Sequence, residues 1–341
     1  MYYFRVDGNE KIGLGHMARC VCIAKKLMEY TKKLEFIISF DTDETILTDN
    51  NIKFYRLRDE RCLGWSAVEC ASYISEQGYK DNVVFLDSYR IDEKAMKCLK
   101  ETAKVYYLDD LATFDYPVDA IINYNIEADV SLYEPTKYDN RKMYLGPSFF
   151  PLRSEFKQYK KLFPNVEVRK VLITSSSTDP YETVYEIIKH INPMNFPRIT
   201  FYIIKGKFFT RDYCTRLSEL LEIYSNVVAF DWGQNMAKLL YEADLLIAPG
   251  STVMLESFAV GTPCISYLFA DNQNSLCEFA HNNNMATYLG DLRLRENYQK
   301  VSSYFVSELD INNRAKHFEA FTSLIDCDGC DRIVQILKED L

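Results

Sequence analysis

Basic residues are in short supply in this 341-residue chain, where 40 Lys and Arg stand against 49 Asp and Glu for a formal net charge of −9. Neutralising a phosphate backbone takes a clustered surplus of Lys and Arg, so the balance argues against a nucleic-acid partner. No long block of like charge marks an acidic or basic tail. Long apolar runs are missing as well. None approaches the roughly 18 residues needed to span a bilayer, and residues 1–7 lack the basic-then-apolar pattern of a secretory leader. A cytoplasmic protein without stable membrane insertion is the expectation. Histidine is scarce, at 4, and so is glycine, at 12, yet Gly8, Gly13 and Gly15 fall within one short window. The 10 cysteines are scattered, as reduced thiols would be. Only Cys327-Asp328-Gly329-Cys330 has metal or redox spacing, and a single CxxC lacks the second half of a zinc site, so it reads as structural.

What is there is apolar and rhythmic. At roughly 150 residues per domain the length suggests about two domains, and 48% hydrophobic residues suffice for two cores. Short β-branched and aromatic runs at 2–6, 35–40, 83–86, 105–108 and 120–122 alternate with segments of helical period, and the rhythm starts again at 171–174, 200–204, 227–230, 245–248 and 264–267. Met17, Val21, Ala24 and Met28 share one face of a helix that begins just after the glycine window. Parallel sheets with crossover helices are therefore predicted, in an N-terminal domain over 1–165 and a C-terminal domain with a helical tail over 166–341. In open α/β sheets ligands bind beyond the carboxyl ends of strands, which directs attention to the loops after Val6, Leu86, Thr174, Phe230 and Ala248.

The first of these loops carries Asp7-Gly8-Asn9 and Ile12-Gly13-Leu14-Gly15-His16. It is neither a Rossmann fingerprint nor a P-loop, because the glycine spacing is wrong and no Gly-Lys-Ser/Thr follows. A helix starting near His16 would aim unpaired backbone N–H groups at the loop, an arrangement friendly to anions. A neutral imidazole placed there can act as a general base, and it can equally well be a helix-capping or packing residue. His190, His281 and His317 read as solvated surface residues of helices. The second constellation is Pro249-Gly250-Ser251-Thr252 with Glu256 one helical turn on, where hydroxyls and N–H groups could hold a diphosphate and the carboxylate a ribose diol. Its plainer meaning is a helix cap at Ser251 with Glu256 on a solvated face. Asp87-Ser88-Tyr89, Asp109-Asp110 and the polar loop Asp271-Asn272-Gln273 also lie at strand ends.

Taken in order, these segments, together with Asn123-Tyr124-Asn125, Leu145-Gly146-Pro147, Leu152-Arg153-Ser154-Glu155-Phe156 and Asn235-Met236-Ala237-Lys238, resemble a known family. It is the UDP-2,4-diacetamido-2,4,6-trideoxy-β-L-altropyranose hydrolases of pseudaminic acid (nonulosonic acid) biosynthesis, and the resemblance runs from residue 5 to about 290. It implies a GT-B-like α/β fold, akin to the peptidoglycan N-acetylglucosaminyltransferase, with two Rossmann-like domains whose parallel sheets face an interdomain cleft. It also implies a UDP-sugar substrate, no metal or other cofactor, and hydrolysis to UDP and free sugar. By matched position His16 would activate water, and Tyr89 and Asn272 would position sugar and water. Asp7, Asn9, Gly13, Gly15, Arg153, Ser177, Thr178 and Gln273 would contribute to substrate binding. Ser251, Thr252 and Glu256 would hold diphosphate and ribose, and the segment Phe230-Asp231-Trp232 would offer backbone groups to the uracil. Where the family usually has Gly-Gly-Thr/Ser-Asp, this chain reads Ser175-Ser176-Ser177-Thr178-Asp179, which adds side chains where the backbone is expected to approach the diphosphate. Two further readings therefore stand beside hydrolysis: glycosyl transfer from a UDP-sugar to an acceptor hydroxyl, and a catalytically silent nucleotide-sugar-binding protein.

Overall fold

A computed structural model describes residues 1–58, 63–138 and 140–339, with the backbone alone at 63–66. The chain divides into two compact units, one of Met1–Leu152 with Asp328–Leu341, the other of Arg153–Cys327.

The first unit is built on a parallel sheet of seven strands: β1 (Tyr2–Val6), β2 (Leu34–Ile38), β3 (Phe54–Arg56), β4 (Val83–Asp87), β5 (Lys104–Leu108), β6 (Ala120–Asn123) and β7 (Lys142–Leu145), in the order β3-β2-β1-β4-β5-β6-β7. Both faces of β1 and β4 are buried along their whole length, as expected for a parallel sheet covered by crossover helices. The order reverses between β1 and β4, which pair in register from Tyr2 opposite Val83 to Val6 opposite Asp87. Such a switch point opens a crevice past the strand ends, and here it sets the loop after Val6 beside Asp87.

The second unit repeats the plan with six parallel strands: β8 (Lys170–Thr174), β9 (Thr200–Ile204), β10 (Val227–Phe230), β11 (Leu245–Pro249), β12 (Cys264–Leu268) and β13 (Thr287–Asp291), in the order β10-β9-β8-β11-β12-β13. Its switch point lies between β8 and β11, so the serine-rich loop after Thr174 and the Gly250-Ser251 turn are neighbours. The core consists of Val171, Ile173, Phe201, Ile203, Leu245 and Ile247 from the strands, packed against Val184, Ile187 and Ile188 of the helix Thr183–Ile191.

Two expectations about domain limits need correction. The boundary lies at 152/153 and not at 165/166, because the intervening segment is bound into the second unit. Lys161 N donates to Val260 O at 2.7 Å, and the fully buried Arg314 donates to Val166 O at 2.8 Å and to Asn165 O. The C-terminal helix Gly329–Glu339, expected in the second domain, belongs to the first unit and packs on the helix Gly15–Leu27. Arg332 Nη1 donates to Ser148 O at 2.7 Å, and the Tyr2 hydroxyl donates to Leu337 O at 3.3 Å. Cys330 Sγ lies 3.5 Å from Leu152 O, so this half of the CxxC pair is a buried packing group of the first unit. Among the described residues no helix is long and apolar enough to cross a membrane.

Gly329 makes this docking possible, since a Cβ there would sit 2.1 Å from the carbonyl oxygen of Phe150. Gly329→Ala is expected to destabilise the first unit by about 1–3 kcal/mol through overpacking against backbone. A lowered thermal or denaturant midpoint checks this, and an unchanged midpoint would contradict it.

Candidate functional site

The loop from Asp7 to Gly15 is held in place from beneath by a buried polar framework. Asp7 is 1% exposed and accepts from Arg5 Nη1 at 2.7 Å and from the hydroxyls of Ser39 and Ser88. Burial pushes this carboxyl up, but Arg5 and the two hydroxyls outweigh burial, and its pKa lies below the ordinary value. Asn9 Oδ1 accepts from the backbone N–H of Lys11 and Ile12 at 2.9 and 3.1 Å, while its Nδ2 donates to Asp41 Oδ2 at 2.9 Å. Asp41 is clamped in turn by both terminal nitrogens of Arg90. The loop closes through Gly13 N to Asn9 O at 2.8 Å, with Gly13 at φ +78°, the one glycine of the window that needs left-handed backbone. Asp7 and Asn9, expected to touch substrate, thus have their polar atoms bonded within the protein and shape the loop from below.

The helix Gly15–Leu27 opens at the end of this loop without a side-chain cap, and its first turn carries His16. The His16 Nδ1 lies 2.6 Å from Asp87 Oδ1 at the end of β4. The same Nδ1 lies 2.9 Å from Arg19 Nη2. In the tautomer that donates from Nδ1 to this carboxylate, Nε2 of the neutral ring is the acceptor. Asp87 is 1% exposed and is also bridged by Arg19, whose Nε and Nη2 donate to Oδ2 and Oδ1 at 2.6 Å each. Burial alone would push the Asp87 carboxyl up. The Arg19 guanidinium, with His16 behind it, reverses that and holds the pKa well below the carboxylate range, so Asp87 is ionised at neutral pH. Arg19 Nη1 continues to Asp110 Oδ2 at 3.1 Å and to the Tyr124 hydroxyl. The Tyr89 hydroxyl donates to the same Asp110 oxygen at 2.9 Å, and its ring meets that of His16 edge to face at 4.5 Å. His16 and Tyr89, chosen from sequence, are therefore brought together. Asp87, Arg19, Asp110 and Tyr124, which bind them into one group, are not among the residues chosen. Only the strand-end position of the acidic pairs hinted at them.

The candidates of the second unit gather at its own switch point. Ser251 occupies the N-cap position of the helix Thr252–Val260, yet its side chain makes no capping bond, contrary to the plain capping alternative. Gly250 is required by close approach, since a Cβ there would lie 2.2 Å from Cys277 Sγ. Glu256 is no solvated-face residue either. Its side chain is 13% exposed and accepts from Arg153 Nη2 at 3.2 Å. Burial raises its pKa and Arg153 lowers it, with burial prevailing. Gln273 is buried, and its Oε1 accepts from Phe269 N and Ala270 N at 2.9 and 3.3 Å, which fixes the turn that presents the exposed Asn272. Phe230 ends β10 and packs on Tyr202, and Trp232 follows it, 44% exposed. His317, read as a surface residue, is buried, with Nδ1 2.7 Å from Asn284 O and Nε2 3.3 Å from Glu308.

The serine loop proves undemanding. None of Ser175, Ser176 and Ser177 is among the residues with positive φ, so side chains there cost no backbone strain. The close approach falls on the facing loop, where a Cβ on Gly206 would lie 2.5 and 2.6 Å from the carbonyl oxygens of Ser177 and Ser176. Phe208 N donates to Ser177 O at 2.9 Å, and Thr178 O accepts from Ser175 Oγ at 3.2 Å. The Ser177 hydroxyl is buried and has no protein partner.

No family model matches the chain. It is 23% identical over 280 residues to an uncharacterized protein of Methanocaldococcus jannaschii, covering 76% of this chain and 54% of that protein, so it spans about half the length of that relative. It is 24% identical over 276 residues to the UDP-2,4-diacetamido-2,4,6-trideoxy-β-L-altropyranose hydrolase of Campylobacter jejuni, covering 80% and 93% of the two chains. Among solved structures it is similar to MurG of Acinetobacter baumannii, with a TM-score of 0.65 at 12% identity and 99% of each chain covered. It is also similar to the UDP-GlcNAc 2-epimerase of Neisseria meningitidis bound to UDP-GlcNAc, with a TM-score of 0.66 at 12% identity over 99% of this chain and 100% of that one. These likenesses establish a GT-B-like α/β fold of two Rossmann-like domains.

Because the folded-state pKa of Asp87 is depressed, its contribution to stability is complete above the unfolded carboxylate value of about 3.9 and is lost as pH falls from there towards the folded value. Asp87→Asn leaves Arg19 buried without its partner and is expected to cost about 3–5 kcal/mol at pH 7. Denaturant unfolding of the two proteins should show the gap narrowing below about pH 4. A gap that stays constant with pH would contradict the assignment.

Proposed function

We propose that this protein hydrolyses a UDP-linked 2,4-diacetamido-2,4,6-trideoxy sugar to UDP and the free sugar, a step of nonulosonic acid biosynthesis. The observation that carries this reading is the 2.6 Å contact of His16 Nδ1 with the ionised Asp87 at the switch point between β1 and β4; with its proton on Nδ1 the ring takes a proton at Nε2. Water attacks the anomeric carbon, its proton passes to His16 Nε2, and the bond from that carbon to the β-phosphate oxygen breaks with its electron pair leaving on UDP. UDP is a good leaving group, so a base on water is the main requirement, and attack opposite the departing phosphate inverts the anomeric centre. Tyr89, packed on His16, is suited to the sugar, and Asn272 is assigned to sugar and water. Gly15 and the uncapped helix start are assigned as backbone donors, while Gly13, whose N–H closes the loop onto Asn9 O, supplies its left-handed turn. Ser251 and Thr252 with the free Ser177 hydroxyl and Thr178 are assigned to the diphosphate, Glu256 with Arg153 to the ribose, and Phe230 and Trp232 to the uracil. Backbone and hydroxyl donors can hold a diphosphate without a dense Lys/Arg patch, which agrees with the net charge of −9. The name of the Campylobacter jejuni relative supports the choice of substrate.

The same base would serve glycosyl transfer, with an acceptor hydroxyl in place of water, and the likeness to MurG keeps that reading in view. The test is release of UDP from the UDP-diacetamido sugar without any acceptor. Turnover is expected, and His16→Ala should lower kcat by about 10²–10⁴-fold with UDP affinity retained. Turnover only on adding an acceptor would favour transfer. UDP binding without turnover on any UDP-sugar would favour a silent binding protein.

A further inference from the structure

Arg19 stands one helical turn after His16, so both side chains leave the same face of the helix Gly15–Leu27. It is 6% exposed. Its fork spends Nε and Nη2 on Asp87 and Nη1 on Asp110 and Tyr124, and so joins the ends of β4, β5 and β6. The two carboxylates then hold the two rings, Asp87 through His16 Nδ1 and Asp110 through the Tyr89 hydroxyl. Resting on the reading of His16 as the base, we propose that Arg19 is a positioning residue that sets His16 and Tyr89 together through Asp87 and Asp110.

Asp87 from β4, Arg19 from its own helix and Tyr89 from the loop after β4 face His16. Asp87, Asp110, Tyr124, His16 and, beside them, Cys20, whose Sγ lies 3.4 Å from Asp87 Oδ2, face Arg19. Without Arg19 the buried Asp87 would lose its bidentate partner and Asp110 its tie to the same fork, and the two rings would no longer share one anchor. A guanidinium does what an ammonium cannot: its planar fork satisfies both oxygens of Asp87 and still reaches Asp110. A lysine would keep the charge and lose the geometry.

Two variants of the full chain, Arg19→Lys and Arg19→Gln, test this. The His16–Tyr89 ring contact is read by nuclear Overhauser effects, and kcat and KM by UDP release. In both variants the ring contact should be lost and kcat should fall by about 10²-fold with KM changed little, because the base is displaced. A ring contact kept in both variants, or a kcat unchanged in Arg19→Lys, would overturn the proposal. If the wild type releases no UDP from any UDP-sugar, the hydrolase reading falls, and the ring contact still decides the role of Arg19.

Discussion

Asp87 is a buried negative charge at the end of β4, and the side chains around it are arranged to keep it there. A carboxylate that is 1% exposed survives as an ion only with close compensation, which Arg19 supplies bidentately and His16 completes. Apolar residues of equal volume would hold such a site together as well or better, so ion pairing is a poor explanation in terms of stability alone. Its value is directional. The pairing holds the imidazole by its Nδ1 edge and ties Tyr89, through Asp110, to the same guanidinium. The topology makes this possible, because the switch between β1 and β4 places the loop that begins at Asp7 next to the residue that ends β4.

The second unit meets its own constraint at the corresponding place by different means. Close approach is handled by Gly206 and Gly250, so the serine loop can carry side chains with ordinary backbone angles. Serines at 175–177 therefore line this strand end without straining the loop. The buried Ser177 hydroxyl, without a partner among the described residues, and the uncapped start of the helix Thr252–Val260 are polar groups at this switch point.

Central strands could be read from sequence because they are buried on both faces, as in the apolar runs of β1, β4, β8 and β11. The strands that escaped, β3, β7 and β13, all lie at sheet edges, where half-burial dilutes the apolar signal: β3 is a three-residue run and β7 begins on an exposed lysine. His16 stood out because a histidine in a glycine loop is locally odd. Arg19 did not, because an arginine in a helix is ordinary until the fold delivers Asp87 and Asp110 to it from residues far along the chain. The domain boundary was misplaced for the same reason. The bonds from Lys161 and Arg314 that hold the connecting segment to the second unit run to residues about a hundred or more positions away, which no local pattern records.

The fate of the solvent oxygen tests most directly the proposed delivery of water to the anomeric carbon by His16. Hydrolysis of the UDP-diacetamido sugar in ¹⁸O-labelled water should place the label in the anomeric hydroxyl of the free sugar, with none in UDP. Label in the β-phosphate of UDP would mean attack at phosphorus and would contradict the account.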